Sequence, residues 1–182
     1  TGYFGAAAFN FSSGSHSYQE NFKNKFYAIN LRKMSVLWVD KFNSSFGMQD
    51  SSPVFSNGQI ITGYSSGLFN NTISILGLNY STGDLDWNFT SPERGNISSP
   101  YIQLPPLTSY NGVVYSDSPT IGILYALNAS NGTLLWQFYT GPTSANVNII
   151  NNSIVLLNSA GYLYVINTYG KLINKRYVGI RA

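Results

Sequence analysis

Three tryptophans stand at equal intervals along this chain of 182 residues, at Trp38, Trp87 and Trp136. The interval is 49 residues each time. Each tryptophan closes a similar segment, in which apolar, small and apolar residues lead to an asparagine, a short turn and then the indole. Similarity at a fixed interval of this length indicates a repeat protein, whose units bury their apolar faces against one another.

The segment occurs four times. The copies are Phe26–Asn30 before Trp38; Leu76–Asn79 with Gly83 before Trp87; Leu124–Asn128 with Gly132 before Trp136; and Leu163–Asn167 followed by Gly170–Asn174. In the fourth copy the turn is one residue shorter and Asn174 takes the place of tryptophan. In the first copy Met34 stands where glycine is expected. The repeat is therefore imperfect at both ends.

Each copy predicts a hairpin of two strands. Leu124 and Ala126 alternate with other residues, as Leu134 and Trp136 do, and a period of two places apolar groups on one face of a strand. The asparagine at the end of the first strand can close a turn on its own backbone, and glycine supplies a positive φ. The tryptophan offers a large apolar surface and one N–H donor, suited to packing against a neighbouring repeat.

A second strand pair precedes each of the last three hairpins. Its turns are marked by Asn57-Gly58, Asn111-Gly112 and Asn152. Four short antiparallel strands in every 40 to 50 residues, roughly, predict the blade of a β-propeller. The first copy begins at Tyr3 with a second strand, so its first strand is missing.

The chain is thus predicted to be all-β, a β-propeller of four-stranded antiparallel blades with about four blades and about fifteen strands. The approximate blades are residues 1–49, 50–98, 99–142 and 143–182 of a single partial propeller. An open arc leaves unpaired strand edges and bare blade faces. We therefore expect an arc of a larger ring; a small four-bladed ring and a ring completed by partner chains are the alternatives.

The run from Tyr125 to Phe138 resembles the repeat of the pyrroloquinoline-quinone (PQQ) enzymes and their cofactor-free relatives. Those proteins carry a tryptophan-docking motif, Ala-x-Asp-x-x-x-Gly-x-x-x-Trp. Residues 126–136 match it with Asn128 at the Asp position, and residues 77–87 with Gly77 and Asn79. Residues 28–38 match at Ala28 and Trp38. The resemblance implies a ring of seven or eight blades in which Trp38, Trp87 and Trp136 dock between adjacent blades.

Residues for catalysis are sparse. The chain has no cysteine and one histidine, His16, in a polar loop, which leaves no hydrolase triad or usual zinc site in this segment. Asp84 and Asp86 share one strand face directly after the turn at Gly83, where paired acids are usually solvated, and Glu93 with Arg94 form at most a surface ion pair. Quinone-dependent enzymes need a calcium or lanthanide cradle and a catalytic aspartate, and none of these maps onto a matching motif. We therefore assign no catalytic, cofactor-binding or metal residue.

The distribution of asparagine indicates where the protein is located. Nine asparagines stand in Asn-x-Ser/Thr sequons: Asn10, Asn43, Asn70, Asn79, Asn88, Asn96, Asn128, Asn131 and Asn151. With 21 asparagines and 35 serines and threonines among 182 residues, about four sequons would arise by chance. The excess predicts an N-glycosylated, extracellular protein. Asn79 and Asn128 also cap turns, so the other seven are expected to be the better acceptors.

Charge excludes one class of partner. Residues 42–170 hold Arg94 as their one base against five acids, whereas nucleic-acid binding needs a dense basic surface. No apolar run approaches the roughly 20 residues of a membrane-spanning helix. Charged residues make up 9 % of the chain, and an uncharged polar surface stays hydrated in acid, which suggests an acidic habitat and an archaeal envelope.

Together these features predict a secreted, N-glycosylated PQQ-like propeller that acts as a non-catalytic binding or structural module at a cell surface. Its partners would be proteins or glycans, with further blades of the same protein or neighbouring subunits completing the ring. No cofactor is expected. The alternative is a part of a PQQ-dependent dehydrogenase, with quinone and calcium, whose catalytic residues lie outside this segment.

Overall fold

The computed structural model describes residues 1–6, 25–39, 52–65, 73–92, 106–119, 121–143 and 146–179. These residues form fifteen β-strands, which pair into four separate antiparallel sheets. The predicted all-β architecture of antiparallel blades is confirmed. The described residues contain no helix long and apolar enough to cross a membrane.

We call the four sheets blades 1 to 4 in chain order. Blade 1 contains β1 (Gly2–Ala6), β2 (Lys25–Asn30) and β3 (Ser35–Val39). Blade 2 contains β4 (Val54–Ser56), β5 (Gln59–Ser65), β6 (Ile73–Asn79) and β7 (Leu85–Thr90). Blade 3 contains β8 (Leu107–Tyr110), β9 (Val113–Asp117), β10 (Ile123–Asn128) and β11 (Leu134–Tyr139). Blade 4 contains β12 (Asn148–Ile150), β13 (Ser153–Leu157), β14 (Tyr162–Asn167) and β15 (Leu172–Tyr177).

Within each blade the strands pair in the order in which they occur along the chain. Blade 1 has three described strands, and its β1 pairs with β2 as β5 pairs with β6 and β9 with β10. β1 therefore corresponds to the second strand of the other blades, as the sequence predicted from the start at Tyr3. Each blade is a simple meander, with its turns alternating between two edges of the sheet.

The cores lie between successive blades rather than within one sheet. Blades 1 and 2 enclose Phe26, Ala28, Trp38, Ile60, Leu76 and Leu78. Blades 2 and 3 enclose Ile61, Ile75, Trp87, Leu107, Val114, Tyr125, Leu127 and Ala129. Blades 3 and 4 enclose Tyr115, Leu124, Ala126, Val147, Ile154, Leu156, Tyr164 and Ile166. Because each inner sheet is covered on both faces, β10 buries four consecutive residues, whereas all six residues of the outer strand β15 are exposed.

A β-bulge recurs at the same place in all four blades. The register of the last strand pair shifts directly after Ala28, Gly77, Ala126 and Val165. In blade 3, for example, Ala126 pairs with Trp136 and Leu127 with Leu134, so Leu135 is the extra residue. Leu135 is 50 % exposed. The bulge turns one residue outward and leaves the next position, which holds tryptophan in the first three blades, facing the following blade.

Candidate functional site

The seams between blades hold the three tryptophans. The Nε1–H of Trp38 donates to Tyr80 O at 3.0 Å, that of Trp87 to Ala129 O at 3.1 Å, and that of Trp136 to Thr168 O at 3.0 Å. Each acceptor lies in the turn between the last two strands of the next blade. A buried indole N–H needs a partner, and the turn backbone of the neighbouring blade provides it. Each indole therefore joins its own blade to the following one.

Glycine in the receiving turn makes room for the ring. Gly83, Gly132 and Gly170 have φ values of +75°, +69° and +83°. A Cβ atom on Gly132 would lie 2.4 Å from Cε3 of Trp87, and one on Gly83 would lie 2.6 Å from Cε3 of Trp38. Side chains essentially never approach so closely. The glycine of each repeat thus serves two needs at once, the left-handed backbone and the seat for the preceding tryptophan.

The two imperfect copies lie at the ends of this series. Met34, at the glycine position of blade 1, has a φ of +49° and is 79 % exposed. Asn174, at the tryptophan position of blade 4, pairs with Val165 and is exposed. Among the described residues, blade 4 thus lacks the tryptophan that would donate to a following blade. Blade 1 lacks the turn glycine that would receive the tryptophan of a preceding blade.

The repeat asparagines cap their own turns. Asn79 Oδ1 accepts Ser81 N at 3.0 Å, and Asn128 Oδ1 accepts Ser130 N at 2.8 Å. The same bond recurs in blades 1 and 4, from Arg32 N to Asn30 and from Tyr169 N to Asn167. These contacts hold the turn whose carbonyl receives the next tryptophan. The amide oxygen of each asparagine is therefore committed to the turn.

The structure describes five of the nine sequon asparagines. Asn88 on β7, Asn131 in the turn after β10 and Asn151 in the turn after β12 are exposed, whereas Asn79 and Asn128 are partly buried. Asn10, Asn43, Asn70 and Asn96 lie outside the described residues. The three exposed side chains stand on an outer strand or at turn apices, where a bulky substituent meets solvent.

The other polar candidates do not come together. Asp84 and Asp86 are both exposed, and Asp86 Oδ2 accepts Gln59 Nε2 at 2.7 Å. His16, Glu93 and Arg94 lie outside the described residues. In the part of the chain that is described, no three His, Cys, Asp or Glu side chains are grouped to hold a metal.

Sequence analysis did not identify Asp117 as a buried residue with a shifted pKa. Asp117, the last residue of β9, is fully buried. Burial raises the pKa of its carboxyl from 3.8 to about 7, and hydrogen bonds from the Thr140 side chain and the Ser118 backbone only partly oppose this. Within Ser116-Asp117-Ser118-Pro119 the aspartate looks like an ordinary turn residue. Only the folded structure, which buries it beside Thr140 some 23 positions further along the chain, reveals it.

Comparison with known proteins matches this geometry. Residues 74–178, more than half of the chain, match the family model described as outer membrane protein assembly factor BamB, which is a PQQ-like repeat. The chain belongs to the BamB/PQQ-like repeat family. The resemblance drawn from the sequence is confirmed, and the four blades are blades of a PQQ-like propeller.

Individual relatives extend this result. Tetrathionate hydrolase of Acidithiobacillus ferrooxidans is 31 % identical over 157 residues, covering 84 % of this chain and 25 % of that protein. BamB from Moraxella catarrhalis superposes with a TM-score of 0.62 at 18 % identity, over 83 % of this chain and 46 % of that one. Quinohemoprotein alcohol dehydrogenase from Comamonas testosteroni gives a TM-score of 0.59 at 14 % identity, over 84 % and 32 %. The chain thus spans a quarter to a half of the length of these PQQ-like proteins.

Proposed function

We propose that this chain forms part of a secreted, N-glycosylated PQQ-like propeller that serves as a non-catalytic binding or structural module at a cell surface. The proposal depends mainly on the nine sequons, about twice the number that chance would give. Their described members support it, because Asn88, Asn131 and Asn151 are exposed. A hydrated glycan attached there would extend into solvent without disturbing a blade seam.

The proposed partners are proteins or glycans. The edge strands and turns of the blades expose apolar and aromatic side chains, among them Tyr169 at 86 %, Tyr139 at 69 % and Phe55 at 59 %. Aromatic side chains of this kind are enriched at recognition surfaces, since they supply a large contact area with few rotatable bonds. The nearly uncharged surface would suit neutral partners.

Glycopeptide analysis of the native protein tests this proposal. We expect sugar on the exposed Asn88, Asn131 and Asn151, and lower occupancy at Asn79 and Asn128, which are partly buried at the ends of their strands. The matched negative controls are Asn57 and Asn111, which lie in exposed turns with φ of +49° but are not part of a sequon and should carry no sugar.

A variant makes the test site-specific. Thr133→Val removes the sequon of Asn131 and keeps the asparagine itself. Expressed in the native host, it should lose the mass of one glycan, whereas the wild type retains it. A chain that carries no sugar at any of the nine positions would contradict the extracellular, glycosylated assignment.

An enzymatic role is the second candidate, and the 31 % identity to tetrathionate hydrolase favours it. The name of that relative makes tetrathionate the first substrate to test. Incubating the whole protein with tetrathionate and following its disappearance by ion chromatography decides the matter. Consumption above that of heat-inactivated protein would overturn the non-catalytic proposal, and no consumption would argue against this relative's activity.

The described residues give less support to the alternative of a PQQ-dependent dehydrogenase. A PQQ site needs a calcium cradle built from several oxygen ligands, and the described residues bring no three acidic, histidine or cysteine side chains together. These residues do not fit the group, so we derive no step through it. A visible-range spectrum and dye reduction after addition of quinone with calcium to the whole protein would reveal a cradle elsewhere.

A further inference from the structure

Five oxygen atoms converge beside the connection between blades 3 and 4. Thr140 Oγ1 lies 3.1 Å from Gly122 O, 3.1 Å from Gly141 O, and 3.2 Å and 3.5 Å from the two carboxylate oxygens of Asp117. Asp117 and Thr140 are both fully buried. A hydroxyl group carries a single proton, so it donates to one of these oxygens at a time.

The protonation state of Asp117 decides how many hydrogen bonds this cluster can make. If Asp117 is ionised, the Thr140 hydroxyl must turn toward the buried charge and Gly141 O loses that donor, whereas Gly122 O keeps the backbone N–H groups of Thr140 and Gly141. If Asp117 is protonated, its O–H donates to Thr140 Oγ1, and the hydroxyl is free to donate to a carbonyl such as Gly141 O. One added proton therefore removes a buried charge and makes one more hydrogen bond.

The same residues hold the two blades together. Thr140 O accepts the Nδ2–H of Asn158 at 2.6 Å, and Pro142 O accepts Ser159 N at 2.8 Å. Asn158 and Ser159 lie in the turn between β13 and β14 of blade 4. The connection is thus held to blade 3 by the backbone bonds of Thr140 and Gly141 to Gly122 O and by the Thr140 hydroxyl beside Asp117. It is held to blade 4 through Asn158 and Ser159.

We propose that Asp117 is a proton-binding site of the folded protein, and that the bound proton fastens the connection between blades 3 and 4. In acid the carboxyl group is neutral, its O–H donates to Thr140 Oγ1, and the Thr140 hydroxyl donates onward to a backbone carbonyl such as Gly141 O. In alkali the proton leaves to solvent, the buried charge remains, and residues 140–143 open more often. The role holds whether or not the protein is catalytic.

Other ionisable groups do not account for this state. The titratable side chains of the elements packed around the site are Tyr110 and Tyr115 of blade 3, Tyr125 of β10, Tyr139 of β11, and Tyr162, Tyr164, Lys175, Arg176 and Tyr177 of blade 4. Lys175 Nζ lies over the rings of Tyr162 and Tyr164 at 4.4 Å and 5.0 Å. Burial is the largest cause of the Asp117 pKa shift, and among the described residues the causes include no charged group.

Asp117→Asn tests the proposal, because asparagine has the shape of aspartic acid, stays neutral and keeps a donor for Thr140 Oγ1. The unfolding equilibrium constant of the wild type, relative to this variant, should rise up to about tenfold per pH unit between about pH 4.5 and 7, then level off. Asp86→Asn, which alters an exposed carboxylate, is the matched control and should give a flat ratio.

Two further measurements keep the proposal testable if Asp117→Asn fails to fold. The carboxyl carbon of Asp117, followed by NMR in the wild type, should titrate near pH 7, and Thr140→Val should move that midpoint upward because a bond that stabilises the ionised form is lost. Amide exchange at Thr140 and Gly141, corrected for intrinsic base catalysis, should accelerate across the same range. Titration of Asp117 in the ordinary range of exposed aspartates would overturn the proposal. So would a ratio of the wild-type to the Asp117→Asn unfolding constant that does not change with pH.

Discussion

Removing the indole of Trp87 should strongly destabilise the seam between blades 2 and 3. The side chain is 8 % exposed and packs with Ile61, Ile75, Val114 and Leu127 between blades 2 and 3. Truncation of a buried Trp or Phe costs about 3–5 kcal/mol, since the cavity that remains collapses only in part. The lost hydrogen bond to Ala129 O adds about 1 kcal/mol. Trp87→Ala should therefore lower the free energy of unfolding by about 4–6 kcal/mol.

Three further variants show how this cost arises. Trp87→Phe keeps an aromatic ring but leaves Ala129 O without the indole donor, and should cost about 1–3 kcal/mol. Trp136→Ala should cost less than Trp87→Ala, because the Trp136 ring is only partly buried at the edge of its cluster. Leu135→Ala changes an exposed bulge residue beside it and should stay within about 0.5 kcal/mol of the wild type.

Urea denaturation followed by far-UV circular dichroism measures these differences, because removing a tryptophan does not remove that signal. The expected order of destabilisation is Trp87→Ala, then Trp136→Ala, then Leu135→Ala. A Trp87→Ala protein within 1 kcal/mol of the wild type would refute the docking role that we assign to the indole.

Three other changes follow from the same geometry. Gly77→Ala should destabilise the protein by more than 2 kcal/mol although alanine is the residue of the motif, because a Cβ there would lie 2.1 Å from Cε2 of Trp87; an unchanged urea midpoint would contradict this. Met34→Gly should be neutral or stabilising by up to about 1 kcal/mol, since it relieves a positive φ at an exposed position. The reverse change at the corresponding position of blade 3, Gly132→Met, should abolish folding, because the new side chain would collide with Trp87. The thermal midpoints of the two variants test this contrast. The folded-state pKa of Asp117, at about 7, lies above its ordinary 3.8, so the stability that it contributes is fully present in acid and lost as the pH rises toward 7, a fall of about 4 kcal/mol that urea titrations at pH 4 and pH 8 would show.

The blades could be predicted because their cues are local. Alternating apolar residues, a capping asparagine and a turn glycine each act within a few residues, so they indicate strands and hairpins without knowledge of the fold. The imperfect first and last copies were also visible, at Met34 and Asn174. The role of Gly132 as the seat of Trp87 was not, because that contact joins two repeats.

The candidate site could be predicted less well. Asp117 is buried beside Thr140, which follows it by 23 positions and itself accepts a hydrogen bond from Asn158 of the next blade. Nothing in its neighbours along the chain distinguishes it from a solvated turn aspartate. The β-bulge beside Ala126 was missed for a related reason, since a two-residue period describes a regular strand and carries no trace of one extra residue.

The indole N–H groups test the central claim, that successive blades are joined through their tryptophans, most directly. In a protein labelled with ¹⁵N at tryptophan, hydrogen exchange followed by NMR should show protected indole signals for Trp38, Trp87 and Trp136, with Trp87 slowest. Each should give a nuclear Overhauser contact to the receiving turn of the next blade, as from Trp87 to Gly132. Indole protons that exchange as fast as those of a free peptide, or that contact only their own blade, would contradict the account.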